Sequence, residues 1–183
     1  MKRFWEALKD CPLYFQALVK VAFYTGMRKG EILSLRWKDI DWKNKKIMIA
    51  KTKNNERRII PTNGEVYKTL LSLGRHIRSE YIFVNPKTGK PYVDFKKSWR
   101  SLLKRTQIED FRFHDLRHNF ASYLVMSGVD IRTVQELLGH KSLRMTERYL
   151  HLAPEHLKNA VENLQKVVTN WTHPVKNKMV KNS

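Results

Sequence analysis

Apolar positions along the chain switch between helical and strand spacing, and the switches divide it into elements. Leu13 to Thr25 is apolar almost all round, broken only by Gln16 and Lys20, which predicts a helix buried on most faces. Pro12 suits its first turn. Gly26 interrupts the run, and Arg28 to Leu33 predicts a second helix with a cation at the junction. Trp37 to Trp42 leaves that helix. Ile47 with Ile49, and Ile59 with Ile60, then predict two short strands. Ala50 to Arg58 joins them as a strongly basic hairpin tip, with Asn54 and Asn55 as turn formers. Pro61 ends the second strand, and Thr62-Asn63-Gly64-Glu65 has capping-box form, opening a helix to about Ile77.

Tyr81 to Val84 is an apolar run followed by a turn at Asn85 to Gly89. Asp94 is placed to cap a helix that buries Phe95, Trp99, Leu102 and Leu103. Phe113 to Ser127 predicts the next helix, stopped at Gly128. Asp130 caps another, with Ile131, Val134, Leu137 and Leu138 inward and Gly139 as its stop. Pro154 starts a last helix to about Val168, with Leu157, Val161 and Leu164 on one face. Residues from Thr169 on are polar and basic, an expected disordered tail. The fold class is α+β, mainly α-helical, with a small antiparallel β-sheet that bears a basic hairpin.

Charge turns this outline toward a partner. The chain of 183 residues has room for one core, and carries 36 Lys+Arg against 17 Asp+Glu, a formal net charge of +19. Such an excess points to a polyanion, most often nucleic acid; the bland alternative is a solubilising surface. Cys11 is the only cysteine, which excludes an intrachain disulfide and a thiolate metal cluster. The longest apolar run is too short to span a bilayer, and Glu6 and Lys9 interrupt any signal-type segment. The expected location is cytoplasmic.

Six residues can handle a phosphate or a proton: Arg28, Lys51, His114, Arg117, His140 and Tyr149. His114 and Arg117, three apart, share a helix face. Two arginines can clamp the non-bridging oxygens of a phosphate and neutralise charge without a metal. A phenol of pKa about 10 needs a base or a cationic neighbourhood to act as a nucleophile at neutral pH. A lysine or histidine at the leaving oxygen can return the proton. The bland reading of Arg28 is a salt bridge to Glu31, and of Lys51 a solvated charge. His114 and His118 have the spacing of a helical zinc pair. However, Asp115 stands where a zinc protease has Glu, and a third ligand is lacking, so His118 reads as a packed or partly exposed helix residue. No paired carboxylates suit a two-metal nuclease. The set fits a phosphotyrosine intermediate better than hydrolysis, with no cofactor and no metal.

At these residues the sequence resembles the tyrosine recombinases, the phage-integrase family that includes the Xer recombinases. The matching stretches are Thr25 to Leu33 with Leu35 to Asp41, His114-Asp115-Leu116-Arg117-His118, Leu138-Gly139-His140, and Thr146 to Tyr149. The resemblance spans roughly Leu13 to Val168. It implies a tyrosine-recombinase catalytic domain over residues 1–168, acting on double-stranded DNA as a site-specific recombinase or integrase of a mobile genetic element. In that reading Arg28 and Arg117 bind the scissile phosphate, and Tyr149 attacks it to leave a 3′-phosphotyrosine and a free 5′-hydroxyl. Lys51 is the general acid (with Lys53 an alternative), His114 assists as acid/base, and His140 hydrogen-bonds the phosphate. It further implies a homo-tetramer on paired sites, monomeric when free, associated with the nucleoid. Complete members usually carry an N-terminal core-binding domain. Here the catalytic pattern begins almost at Met1, so a truncated chain or a single-domain member is expected. A type IB topoisomerase and a catalytically silent DNA-binding regulator on the same fold are the alternatives.

Overall fold

Helix α2 (Leu13–Thr25) lies at the centre of the main core: Phe15, Ala17, Leu18, Val19, Val21 and Ala22 are all buried. The computed structural model describes residues 1–49 and 58–153. The predicted hairpin tip with Lys51 and Lys53, the helix from Pro154 and the basic tail all lie outside the described residues. Helices α4 (Gly64–Leu71) and α6 (Asp115–Met126) lie against α2, one contributing Val66 and Leu70, the other Leu116 and Ala121 to the interior. This is why α2 has no polar face: it is covered from several sides.

An N-terminal helix that the hydrophobic pattern does not announce, α1 (Lys2–Lys9), precedes α2 and packs on α5 (Lys96–Thr106). Phe4 and Leu8, one helical turn apart, are fully buried, each contributing about 1.5–3 kcal/mol by transfer from water. Phe4 meets Trp99 and Phe111 edge-on, with ring centroids 5.9 Å apart in both cases. Eight residues beginning Lys-Arg are too few to reveal this from sequence; the aromatic cluster that stabilises the helix is tertiary.

The sheet has three antiparallel strands in the order β1 (Ile40–Asp41), β2 (Lys46–Ile49) and β3 (Arg58–Pro61), one more than the sequence predicts. Its register pairs Ile47 with Ile60 and Ile49 with Arg58. Period-two alternation then sends Ile47, Ile49, Arg58 and Ile60 inward, and leaves Met48 and Ile59 in solvent.

Two helix boundaries differ from expectation. The cap of α4 is Asn63, whose side chain accepts the Val66 N–H at 3.0 Å, while the Thr62 hydroxyl donates to the Lys45 carbonyl. The helix also ends at Leu71, not near Ile77. Leu73 still packs on the core, but Gly74, Arg75 and His76 follow it and Ile77 is fully exposed. Downstream, Asp94 accepts the Lys96 N–H and Asp130 accepts those of Arg132 and Thr133, opening α5 and α7 (Ile131–Leu138). A second, smaller apolar cluster joins Ala121, Val125, Val134, Leu138 and Tyr149. It seats helix α8 (Arg144–Glu147) and the 3-10 turn Leu150–Leu152 beside α6 and α7. Among the described residues no helix is long and apolar enough to cross a membrane.

Candidate active site

The chain turns out of α2 at Gly26, in the left-handed conformation (φ +62°). A Cβ there would come within 2.5 Å of the Phe120 ring, so the corner requires glycine for two reasons. The turn delivers Arg28 to the start of α3 (Lys29–Leu33). The Arg28 backbone N–H donates to Glu31 Oε2 at 2.8 Å, and its guanidinium Nη1 pairs with Oε1 at 3.1 Å. The expected salt bridge therefore exists, but it engages only part of the side chain. Nη2 reaches across the fold to the Gly139 carbonyl at 3.2 Å.

Two further guanidiniums converge on the same end of α7. Arg58 is carried inward by the strand register, 8 % exposed, and pairs with Glu31 Oε2 at 2.8 Å. Its Nη1 donates to the Leu138 carbonyl. Arg117, 4 % exposed on α6, donates to the Gly26 carbonyl at 2.6 Å and to the Leu138 carbonyl at 2.5 Å. The last carbonyls of a helix lack intrahelical partners and carry its negative dipole end, which suits cations. Arg28, Arg58 and Arg117 set against Glu31 make three positive charges to one negative, an excess of two. Burial, then the charges of Arg28 and Arg58, pull the Arg117 guanidinium down to about 9, still protonated at neutral pH. An anion bound here would relieve that repulsion.

His140 follows the Gly139 stop, which is itself left-handed (φ +62°). Its Nδ1 lies 2.9 Å from the hydroxyl of the fully buried Thr146. Burial, reinforced by Arg117, Arg28, Arg148 and Arg58, brings the imidazole down to about 4, so it is neutral at physiological pH. Tyr149 stands at the end of the short α8 segment, 5 % exposed, its ring in the second apolar cluster. Burial raises its phenol above the ordinary range, while Arg148 and Arg117 oppose the shift. The phenol oxygen lies 2.5 Å from Nδ1 of His118.

Of the six sequence candidates, Arg28, Arg117 and His140 gather at the end of α7, and Tyr149 lies within electrostatic reach of Arg117. His114 is exposed at the start of α6, its ring edge-on to His118 at 4.9 Å; partial desolvation, then His118 and Arg117, lower its pKa. No group of three His, Cys, Asp or Glu able to hold a metal occurs among the described residues. Lys51 lies outside them.

Sequence reasoning missed two residues. Arg58 was grouped with the basic hairpin tip, although its place two before Ile60 marks the inward face of the strand. His118 is half-buried on α6, in keeping with a packed or partly exposed helix residue, but its bond to the phenol is not foreseen. No local signal distinguishes it, because its partner is 31 residues away in sequence.

A family model described as "Phage integrase family" matches residues 1–156. The integrase of Salmonella phage P22 is 34% identical over 183 residues, covering 91% of this chain and 47% of that protein. Among solved structures, the XerA recombinase is 31% identical with a TM-score of 0.70, covering 88% of this chain and 61% of that one. The catalytic domain of bacteriophage HP1 integrase is 26% identical with a TM-score of 0.68, covering 98% of this chain and 96% of that one. The chain spans about half the length of the curated relatives it matches.

Proposed function

The chain belongs to the phage integrase family, and from that premise we propose that it is the catalytic part of a site-specific DNA recombinase. It cuts and rejoins DNA strands through a 3′-phosphotyrosine formed on Tyr149. The observation that carries this reading is the under-neutralised arginine cluster at the end of α7, within electrostatic reach of a buried tyrosine phenol. A phosphodiester supplies the anion the cluster lacks, and phosphoryl transfer needs charge neutralisation and in-line positioning above all.

Arg28 and Arg117 hold the non-bridging oxygens of the scissile phosphate. Arg58 and Glu31 brace Arg28 and the α7 carbonyls from behind. His140, kept neutral and oriented by Thr146, donates a hydrogen bond to the phosphate. Tyr149 attacks phosphorus and the 5′-oxygen leaves, protonated by Lys51 or Lys53. The reverse attack by a 5′-hydroxyl rejoins the strand. Residues 1–168 act as this catalytic domain, in the cytoplasm on nucleoid DNA, and four copies assemble on paired sites. Relatives named integrase and recombinase support recombination over topoisomerase action, and the presence of every expected catalytic side chain in the sequence argues against a silent regulator.

The test is covalent capture. The chain is incubated with nicked duplexes of randomised sequence, in which cleavage beside the nick releases a short fragment and traps the enzyme. Protein-linked DNA is recovered after denaturation and sequenced. Wild type should yield adducts at a shared sequence, and Tyr149→Phe none. Equal recovery from both proteins would remove Tyr149 as nucleophile.

A further inference from the structure

Thr146 is fully buried in α8, six residues after His140 and three before Tyr149. Its hydroxyl lies 2.9 Å from His140 Nδ1, and its backbone carbonyl accepts the Tyr149 N–H at 3.0 Å. Among the described residues, His140 is the one hydrogen-bond partner of that hydroxyl. Resting on the reading of this pocket as a DNA-cleaving site, we propose that Thr146 is a positioning residue. Its hydroxyl holds the His140 hydrogen at Nε2, where it serves the scissile phosphate, while its carbonyl fixes the backbone of Tyr149. One buried residue thus sets the phosphate donor and the nucleophile relative to each other.

A neutral imidazole carries a single N–H, on one ring nitrogen or the other. His140 is in that neutral state near pH 7, because burial and the surrounding arginines disfavour its cation. With Nδ1 against Thr146, Nε2 is the nitrogen left for the phosphate. Phosphodiester oxygens only accept hydrogen bonds, so Nε2 must carry the hydrogen and Nδ1 must accept. The Thr146 O–H is the donor that Nδ1 then needs, and this bond selects the tautomer. With the hydrogen on Nδ1 instead, Nε2 would turn a lone pair toward the phosphate. Both ends of the bond are held by backbone. The His140 N–H donates to the Gln135 carbonyl and Gln135 Nε2 donates to the His140 carbonyl, each at 3.1 Å. The Thr146 N–H donates to the Leu143 carbonyl at 2.7 Å, so the hydroxyl is carried on a closed turn.

The experiment measures single-turnover cleavage of the nicked duplex selected above, for wild type, Thr146→Val, Thr146→Ser, His140→Ala and the double variant His140→Ala/Thr146→Val. Valine keeps the shape of threonine and its backbone carbonyl and removes only the hydroxyl. We expect Thr146→Val to cleave about 10–10²-fold more slowly at saturating DNA, a smaller loss than the roughly 10²–10³-fold of deleting a transition-state donor outright. Thr146→Ser should recover most of the rate. Because Thr146 acts through His140, the double variant should be no slower than His140→Ala alone. Nitrogen NMR of the histidines in Tyr149→Phe, bound to the same duplex, reads the ring directly and needs no cleavage. His140 should carry its hydrogen on Nε2, and adding Thr146→Val should move part of it to Nδ1. A wild-type rate in Thr146→Val, fully multiplicative losses in the double variant, or hydrogen on Nδ1 with Thr146 in place would each overturn the proposal, leaving Thr146 as packing. The last of these holds even if the valine variant folds poorly. Absence of any adduct with wild type would instead overturn the underlying reading of the pocket.

Discussion

Arg58 and Arg117 share one acceptor: the Leu138 carbonyl at the end of α7 receives a guanidinium N–H from each. A strand residue and a helix residue, 59 positions apart in sequence, are thereby tied to the same helix terminus. Glu31 then links Arg58 to Arg28, closing the frame around the proposed phosphate site.

Removing Arg58 should therefore damage both stability and chemistry. Arg58→Met keeps much of the apolar stem but leaves Glu31 half-paired in a buried position. We expect a loss of about 2–4 kcal/mol in urea unfolding, in the range for breaking a buried ion pair. Cleavage should fall more than DNA binding. A stability change below about 0.5 kcal/mol would show that the frame is not needed.

The Gly26 corner is the second structural dependency. Gly26→Ala adds a Cβ in the left-handed region, costing about 1–2 kcal/mol, and pushes it against Phe120. The expected total exceeds 2 kcal/mol by thermal or urea unfolding. Because Arg117 donates to the Gly26 carbonyl, the covalent-adduct yield should drop as well. Gly128→Ala, a left-handed glycine whose Cβ would meet no atom within 4 Å, isolates the backbone strain and should cost less.

Stability should decline in mild acid. His140 sits at about 4 in the fold against about 6.5 unfolded, so the unfolded chain binds more protons between those values. That contribution is complete above pH 6.5 and is lost as pH falls toward 4. The lowered values of His114 and His118 act with the same sign. Melting temperature should fall across this window, and His140→Gln should flatten part of the fall. A wild-type melting curve independent of pH over that range would contradict the assignment.

Cleavage should survive chelation. The proposed site neutralises phosphate charge with guanidiniums, so adduct formation in excess EDTA should match that in Mg²⁺. A strict requirement for a divalent ion would overturn the arginine-based mechanism.

DNA affinity should fall steeply with salt. Each phosphate neutralised contributes roughly −0.9 to the slope of log K against log salt, and the chain has a net charge of +19 to draw on. A slope near zero would mean that the positive surface is not used on DNA.

The sequence alone determined most of the helices, because their apolar stripes and end signals are local. The buried α2, the Asp130 cap and the Gly139 stop are all written within a few neighbouring residues. It also brought Arg28, His114, Arg117, His140 and Tyr149 into one expected set, since their order and spacing carry the family resemblance. Elements whose stability comes from distant partners were not legible. Helix α1 depends on aromatic rings about a hundred residues away, and β1 on pairing with β2. The far end of α4 was overrun because nothing local says that Ile77 meets no core. Only the tertiary structure decided that Arg58 points inward and that the partly exposed His118 meets the Tyr149 phenol. Both follow from packing: the sheet register turns Arg58 toward the end of α7, and the second apolar cluster seats the Tyr149 ring against α6.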